Sequence, residues 1–185
     1  HNLAREYYLL GDDKKALELL LPAARRDPTE QNLNSLALVL GRLGRLSESA
    51  KILDGLLKGP APSAQTFYNR AAVYERAGSP QEAALLLETA LEKYPESTDI
   101  LDQLALLRLR SGNKTEAERL YRRAFATDPY DPRALAALGA LDAERGDLAG
   151  AAGKWRKALV TDPANGAALA NLERLEGIKA AGSGK

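Results

Sequence analysis

The chain has 185 residues, of which 45% are hydrophobic, 28% charged and only 5% aromatic, so Ala and Leu carry the apolar fraction, a mix that favours helices over a β-sandwich or a disordered tail. Cysteine is absent and the one histidine is His1, which excludes disulfides, thiol nucleophiles, Cys-ligated metals and Ser-His-Asp triads. Twenty-six Lys and Arg against twenty-five Asp and Glu, with the signs interspersed, leave no basic footprint for nucleic acid, and apolar runs such as Leu36 to Leu40 fall far short of the roughly 20 residues of a membrane span.

Glycines at 11, 44, 78, 112 and 146 stand 33, 34, 34 and 34 residues apart, and self-similarity on that period marks a solenoid. The pairs Asp27-Pro28, Tyr94-Pro95, Asp128-Pro129 and Asp162-Pro163 place a proline seventeen residues after the corresponding glycine. Each period therefore carries two breaks and hence two helices. Seven residues before each glycine stands a small residue: Ala4, Ala37, Ala71, Ala105 and Gly139. Five after it stands another: Ala16, Ser49, Ala83, Ala117 and Ala151. Small residues at fixed places on paired helices let the helices cross closely, and Leu20, Leu53, Leu87, Tyr121 and Trp155 fill the gap beside each crossing.

In chain order, unit 1–29 lacks the start of its first helix, and Asp12 caps its second. Unit 30–63 ends in Gly59-Pro60-Ala61-Pro62-Ser63, an exit turn of its own kind. Unit 64–97 carries a capping box, Ser79-Pro80-Gln81-Glu82, with proline at the first helical position. Unit 98–131 repeats the cap with Asn113. Unit 132–165 starts behind Asp131-Pro132, uses Asp147 as its second cap, and has Gly150 and Gly153 inside the following helix, each costing about 1 kcal/mol against Ala. Residues 166–180 form a lone helix with Leu169, Leu172, Leu175 and Ile178 on one side, as a terminal cap over an open apolar end requires. Residues 181–185 read as a flexible tail. The chain has no methionine and opens inside its own pattern, as expected of a piece of something longer.

The clearest copy of the pattern runs Leu135, Leu138-Gly139, Gly146-Asp147, Ala151, Trp155, Ala158 and Asp162-Pro163. With five copies at these offsets the chain resembles the tetratricopeptide repeats over nearly its whole length. The resemblance implies an all-α fold, a right-handed superhelical solenoid of antiparallel helix pairs, and a non-catalytic protein-interaction role without cofactor or metal. Three departures stand out: Ser49 in place of the packing alanine, Ala61 in place of the closing proline, and Arg70 where the family carries a leucine, with Tyr68 and Tyr74 close enough in sequence to pack over its stem. Tyr7, Tyr74, Tyr121 and Trp155 fall on the family's packing positions. The acidic pairs Asp12 with Asp13 and Asp99 with Asp102 are expected as caps and solvated helix faces rather than catalytic carboxylates.

The family's first helices line a concave face, and transferring its contact positions gives Arg5 and Tyr8, then Asn34, Ser35, Leu38 and Arg42. The third unit contributes Tyr68, Asn69, Ala72, Glu75 and Arg76, the fourth Asp99, Asp102, Gln103, Leu106, Leu109 and Arg110, and the fifth Arg133, Ala136, Ala137, Ala140, Ala143 and Glu144. Arg42, Arg76 and Arg110 recur every 34 residues. They form either a row of guanidiniums for carboxylates or phosphates of a ligand, or cations that complement the ends of their own helices. Leu38, Ala72, Leu106 and Ala140 form a second ladder, either an apolar groove floor for a peptide or amphipathic helix or plain packing between first helices. Tyr68 with Asn69 offers an aromatic surface beside an amide. Co-chaperones of this family that clamp a C-terminal carboxylate use Lys and Asn, then Asn, then two cations on successive repeats. Here Asn34 and Leu38, Asn69, and Asp99 and Gln103 stand at those places, and only Asn69 matches.

The expected function is a scaffold or adaptor that binds a peptide segment of a protein partner in its groove. A regulatory or substrate-recruiting module of a larger protein, an enzyme among the options, is the alternative. Self-association through the first helix or the groove is a third reading.

Overall fold

The computed structural model describes residues 2–182, and the described residues fold as eleven α-helices with no strand. In order they are α1 (Asn2–Leu9), α2 (Asp13–Arg26), α3 (Glu30–Arg42), α4 (Leu46–Leu57), α5 (Ala64–Arg76), α6 (Pro80–Lys93), α7 (Thr98–Arg110), α8 (Lys114–Thr127), α9 (Pro132–Glu144), α10 (Leu148–Thr161) and α11 (Gly166–Gly182). They fall into two compact units, α1 to α6 ending at Tyr94, and α7 to α11 starting from Pro95. His1 and Ser183 to Lys185 lie outside the described residues, as does the side chain of Ile178.

The repeat is written in the turns. Gly11, Gly44, Gly78, Gly112 and Gly146 have φ between 76° and 86°, a left-handed conformation that no other described residue adopts and that a Cβ disfavours. It lets the chain close each first helix with paired hydrogen bonds to orphaned carbonyls. At the first turn, Gly11 N–H donates to the Tyr8 carbonyl at 3.1 Å and Asp12 N–H to the Tyr7 carbonyl at 2.9 Å. The next helix starts at once: Asp12, Asn113 and Asp147 accept from the backbone N–H groups of Lys15, Glu116 and Gly150. Ser79 departs from the expected capping box. It occupies the cap position ahead of Pro80, yet its side chain makes no capping hydrogen bond; its φ of −115° stands apart from the −79° to −85° of Asp12, Asn113 and Asp147.

Within the first unit, Ala4, Ala16 and Leu20 pack against Leu36, Val39 and Leu40, while Ala37, Leu53 and Val73 form the next layer. Ser49 is fully buried and donates its hydroxyl to the Ala37 carbonyl at 2.6 Å, so the polar atom that replaced a methyl has a partner. Arg70 packs its guanidinium 3.8 Å from the Tyr74 ring centre and donates to Asp54 at 2.6 Å. Helix α4 has 12 residues where α2 and α6 have 14, and the exit turn after it is tied down by the Tyr94 hydroxyl, which donates to the Pro62 carbonyl.

In the second unit Trp155 is 1% exposed and donates its indole N–H to the Ala136 carbonyl at 3.0 Å. A Cβ at position 139 would lie 2.6 Å from Trp155 Nε1. Glycine stands in this copy because the largest aromatic stands opposite. Gly150 has a local reason as well: a Cβ there would fall 2.1 Å from the capping Asp147 carboxylate, whereas one at Gly153 meets open space. Helix α11 covers the end of this core with Ala168, Leu172 and Leu175. Leu169, expected on the buried side, is 40% exposed, because the seam follows the 168, 172, 175 spacing of one helical face. The helix runs to Gly182, two residues into the expected tail.

Candidate functional site

In the first unit, three first helices, α1, α3 and α5, shape a cavity of about 820 Å³. Its lining mixes polar Arg5, Gln31, Ser35 and Gln65 with Tyr8, Leu9 and Leu38. The placement follows from helical spacing: Arg5, Tyr8 and Leu9 on α1 and Gln31, Ser35 and Leu38 on α3 lie three or four residues apart and so share a face.

Within the cavity wall a hydrogen-bond chain locks α3 to α5. Glu30 Oε1 accepts from Ser63 N–H and the Ser63 hydroxyl, both at 2.7 Å, and from the Thr66 hydroxyl at 2.6 Å. Asn34 donates to Thr66 Oγ1 at 2.7 Å and accepts from Asn69 at 2.9 Å. Asn69 in turn accepts from Gln65 at 2.8 Å. The Thr66 hydroxyl, followed by those of Ser63, holds the Glu30 carboxyl below the ordinary range, since each bond favours the charged form.

Of the residues singled out from the sequence, Arg5, Tyr8, Asn34, Ser35, Leu38 and Asn69 line this cavity; Arg42, Tyr68 and Arg76 are outside its lining. Asn34 and Asn69 are 6% and 3% exposed, and their amides are directed into the α3–α5 joint. Arg42 donates to Asp13 Oδ2 at 3.0 Å and to the Tyr8 carbonyl at 2.9 Å, with its guanidinium 4.1 Å from the Tyr8 ring centre. This guanidinium joins α3 to the first helix pair. Arg76 and Arg110 close the last turns of α5 and α7.

Gln31 and Gln65 were not among the residues chosen from the sequence. Both stand second in their 34-residue units, the offset that did yield Asp99 and Arg133.

The second unit places Gln103 at 9% exposure on α7, with Leu106 more open at 36%. Asp99 is exposed and pairs with Arg133 at 2.5 Å. Asp102, expected on a solvated face, is instead 3% exposed, with Asp131 and Arg133 at the start of α9 beside it. Arg133 Nε lies 3.1 Å from Asp102 Oδ2, and neither Asp102 oxygen has a hydrogen-bond partner of good geometry. Asp131, 4% exposed, accepts from the N–H groups of Arg133 and Ala134 at the start of α9. Burial, with the Asp131 charge added, pushes the Asp102 carboxyl up to about 8 against the opposing pull of Arg133. Among the described residues no acidic cluster is arranged to hold a metal ion, and no helix is long and apolar enough to cross a membrane.

Two family models described as tetratricopeptide repeat match the chain, one over residues 34–98 and one over 75–141, together more than half of it. No curated protein matches. Among solved structures, a thermophilic tetratricopeptide repeat protein of Thermus thermophilus is 22% identical with a TM-score of 0.76, over 95% of each chain. A tetratricopeptide repeat protein of Parabacteroides merdae is 22% identical with a TM-score of 0.65, over 94% of this chain and 70% of that one. YrrB, described as a tetratricopeptide repeat protein with an unusual peptide-binding site, is 19% identical with a TM-score of 0.58, over 93% of this chain and 89% of its own. These likenesses agree with the turn glycines and the buried small-residue pairs: the chain belongs to the tetratricopeptide repeat family, an all-α solenoid class of protein-interaction modules.

Proposed function

We propose that this chain is a non-catalytic adaptor that binds a peptide segment of a partner protein in the cavity lined by α1, α3 and α5. The observation that carries the reading is the cavity itself, about 820 Å³, whose lining combines Leu9 and Leu38 with polar side chains. A concave, largely apolar surface with a few polar groups for orientation is what peptide recognition by helical grooves requires. The peptide-binding site named for YrrB supports the same use of this fold.

The test is selection of a 16-residue peptide library on the intact chain, followed by titration of the selected peptide against Ser35→Trp. Ser35 lines the cavity and donates its hydroxyl only to the Gln31 carbonyl of its own helix, so the indole fills the space while α3 stays helical. Loss of binding with unchanged helicity is the expected result. Binding that survives the indole overturns the reading.

A further inference from the structure

We infer that the occupant of this groove is an amphipathic helix carrying an acidic residue, not an extended strand. The inference rests on the groove reading above and adds the ligand's conformation and charge.

The first ground is an account of hydrogen-bonding groups. An extended peptide leaves its backbone N–H and C=O groups in need of partners from the wall, and asparagine and glutamine amides are the side chains best suited to give both. Here Asn34 gives its N–H to Thr66 and its oxygen to Asn69, while Asn69 gives its N–H to Asn34 and its oxygen to Gln65. Both amides are buried and turned into the joint between α3 and α5. Glu30 Oε1 already accepts three bonds, and the Ser35 hydroxyl is spent within α3. A strand laid here would meet two asparagines already engaged with each other and, on the rim, only the Gln31 and Gln65 side chains, fewer groups than its row of backbone N–H and C=O requires. A helix brings its own pairing and needs only an apolar face.

The second ground is size and charge. At a width of about 10 Å and 1.5 Å per residue, roughly two turns of helix fill ~820 Å³. Arg5 is the cation of the lining; it is exposed and makes no hydrogen bond or ion pair among the described residues. The lining's one acid, Glu30, is committed to Ser63 and Thr66. Leu9, one turn along α1 from Arg5, is 70% exposed. An apolar stripe set on Leu9 and Leu38, with an Asp or Glu three or four positions from one of its residues, meets both.

The experiment uses the peptides selected on the intact chain. Support is a selected set with apolar residues at i, i+3 or i+4, and i+7 and a shared acidic residue. The bound peptide is helical by nuclear Overhauser contacts, and affinity falls about tenfold on Arg5→Glu, with Arg5→Gln intermediate. Both Arg5 variants keep the far-ultraviolet circular dichroism of the parent. Peptides that Ser35→Trp blocks, but that bind extended or ignore Arg5→Glu, overturn this inference and leave the groove reading standing. Failure to select any peptide, or binding indifferent to Ser35→Trp, overturns both.

Discussion

Replacing Asp102 by Asn should flatten the dependence of stability on pH. In the folded chain Asp102 sits on α7 with Asp99 one turn before it, Tyr121 of α8 beside it, and Arg133 and the capping Asp131 of α9 across from it. Its carboxyl is held up at about 8 by burial and by Asp131, whereas in the unfolded chain it titrates near 3.9. Between those values the folded state binds one more proton than the unfolded state. Stability from this group is therefore fully present at low pH and is lost as pH rises toward 8. The limiting slope for one proton is about 1.4 kcal/mol per pH unit; allowing for relaxation around the new charge, about 1 kcal/mol per unit is expected, or ~3 kcal/mol between pH 5 and pH 8. The amide stays neutral throughout. Urea unfolding followed by circular dichroism at pH 5, 6, 7 and 8 should show the variant gaining on the parent by ~3 kcal/mol across the range. A difference independent of pH would refute the placement of a neutral carboxyl at this site.

Other perturbations separate parts of the account. Glu30→Gln should cost about 1–3 kcal/mol at pH 7, since it trades a charged acceptor of three bonds for a neutral one; the difference should shrink as pH falls through the depressed pKa of Glu30, which the same unfolding series reads. Gly139→Ala should destabilise by about 1–3 kcal/mol because its methyl meets the Trp155 indole, while Gly153→Ala, in open space on an exposed turn of α10, should stabilise by about 0.5–1 kcal/mol; melting of the two variants side by side checks both signs. Arg42→Gln should lower the melting temperature, because it removes the Asp13 and Tyr8 contacts; the same melting series checks it.

The repeat was legible because its signals are local. A glycine at a left-handed turn, a cap three residues before the N–H it serves, and a small residue under a large one recur on one period, and each can be read within about a dozen residues of sequence. What was hidden depends on partners a whole unit away. Asn34 and Asn69 are 35 positions apart and read equally well as groove amides or as a ladder between helices; the hydrogen bond between them decides. Arg42 looks like an open guanidinium until Asp13, 29 residues earlier, is beside it. Asp102 reads as a solvated helix position because nothing near it in sequence announces that the start of α9 lies beside it. Ser79 shows the converse: a capping signature present in sequence whose hydrogen bond is not made.

The central claim, that the first helices α1, α3 and α5 present the binding surface, is tested most directly by a nuclear magnetic resonance titration of the labelled chain with a selected peptide. The account predicts saturating shifts at Arg5, Leu9, Ser35 and Gln65, around the cavity. Shifts confined to exposed positions on the second helices, such as Glu18 of α2 and Lys51 of α4, would contradict it.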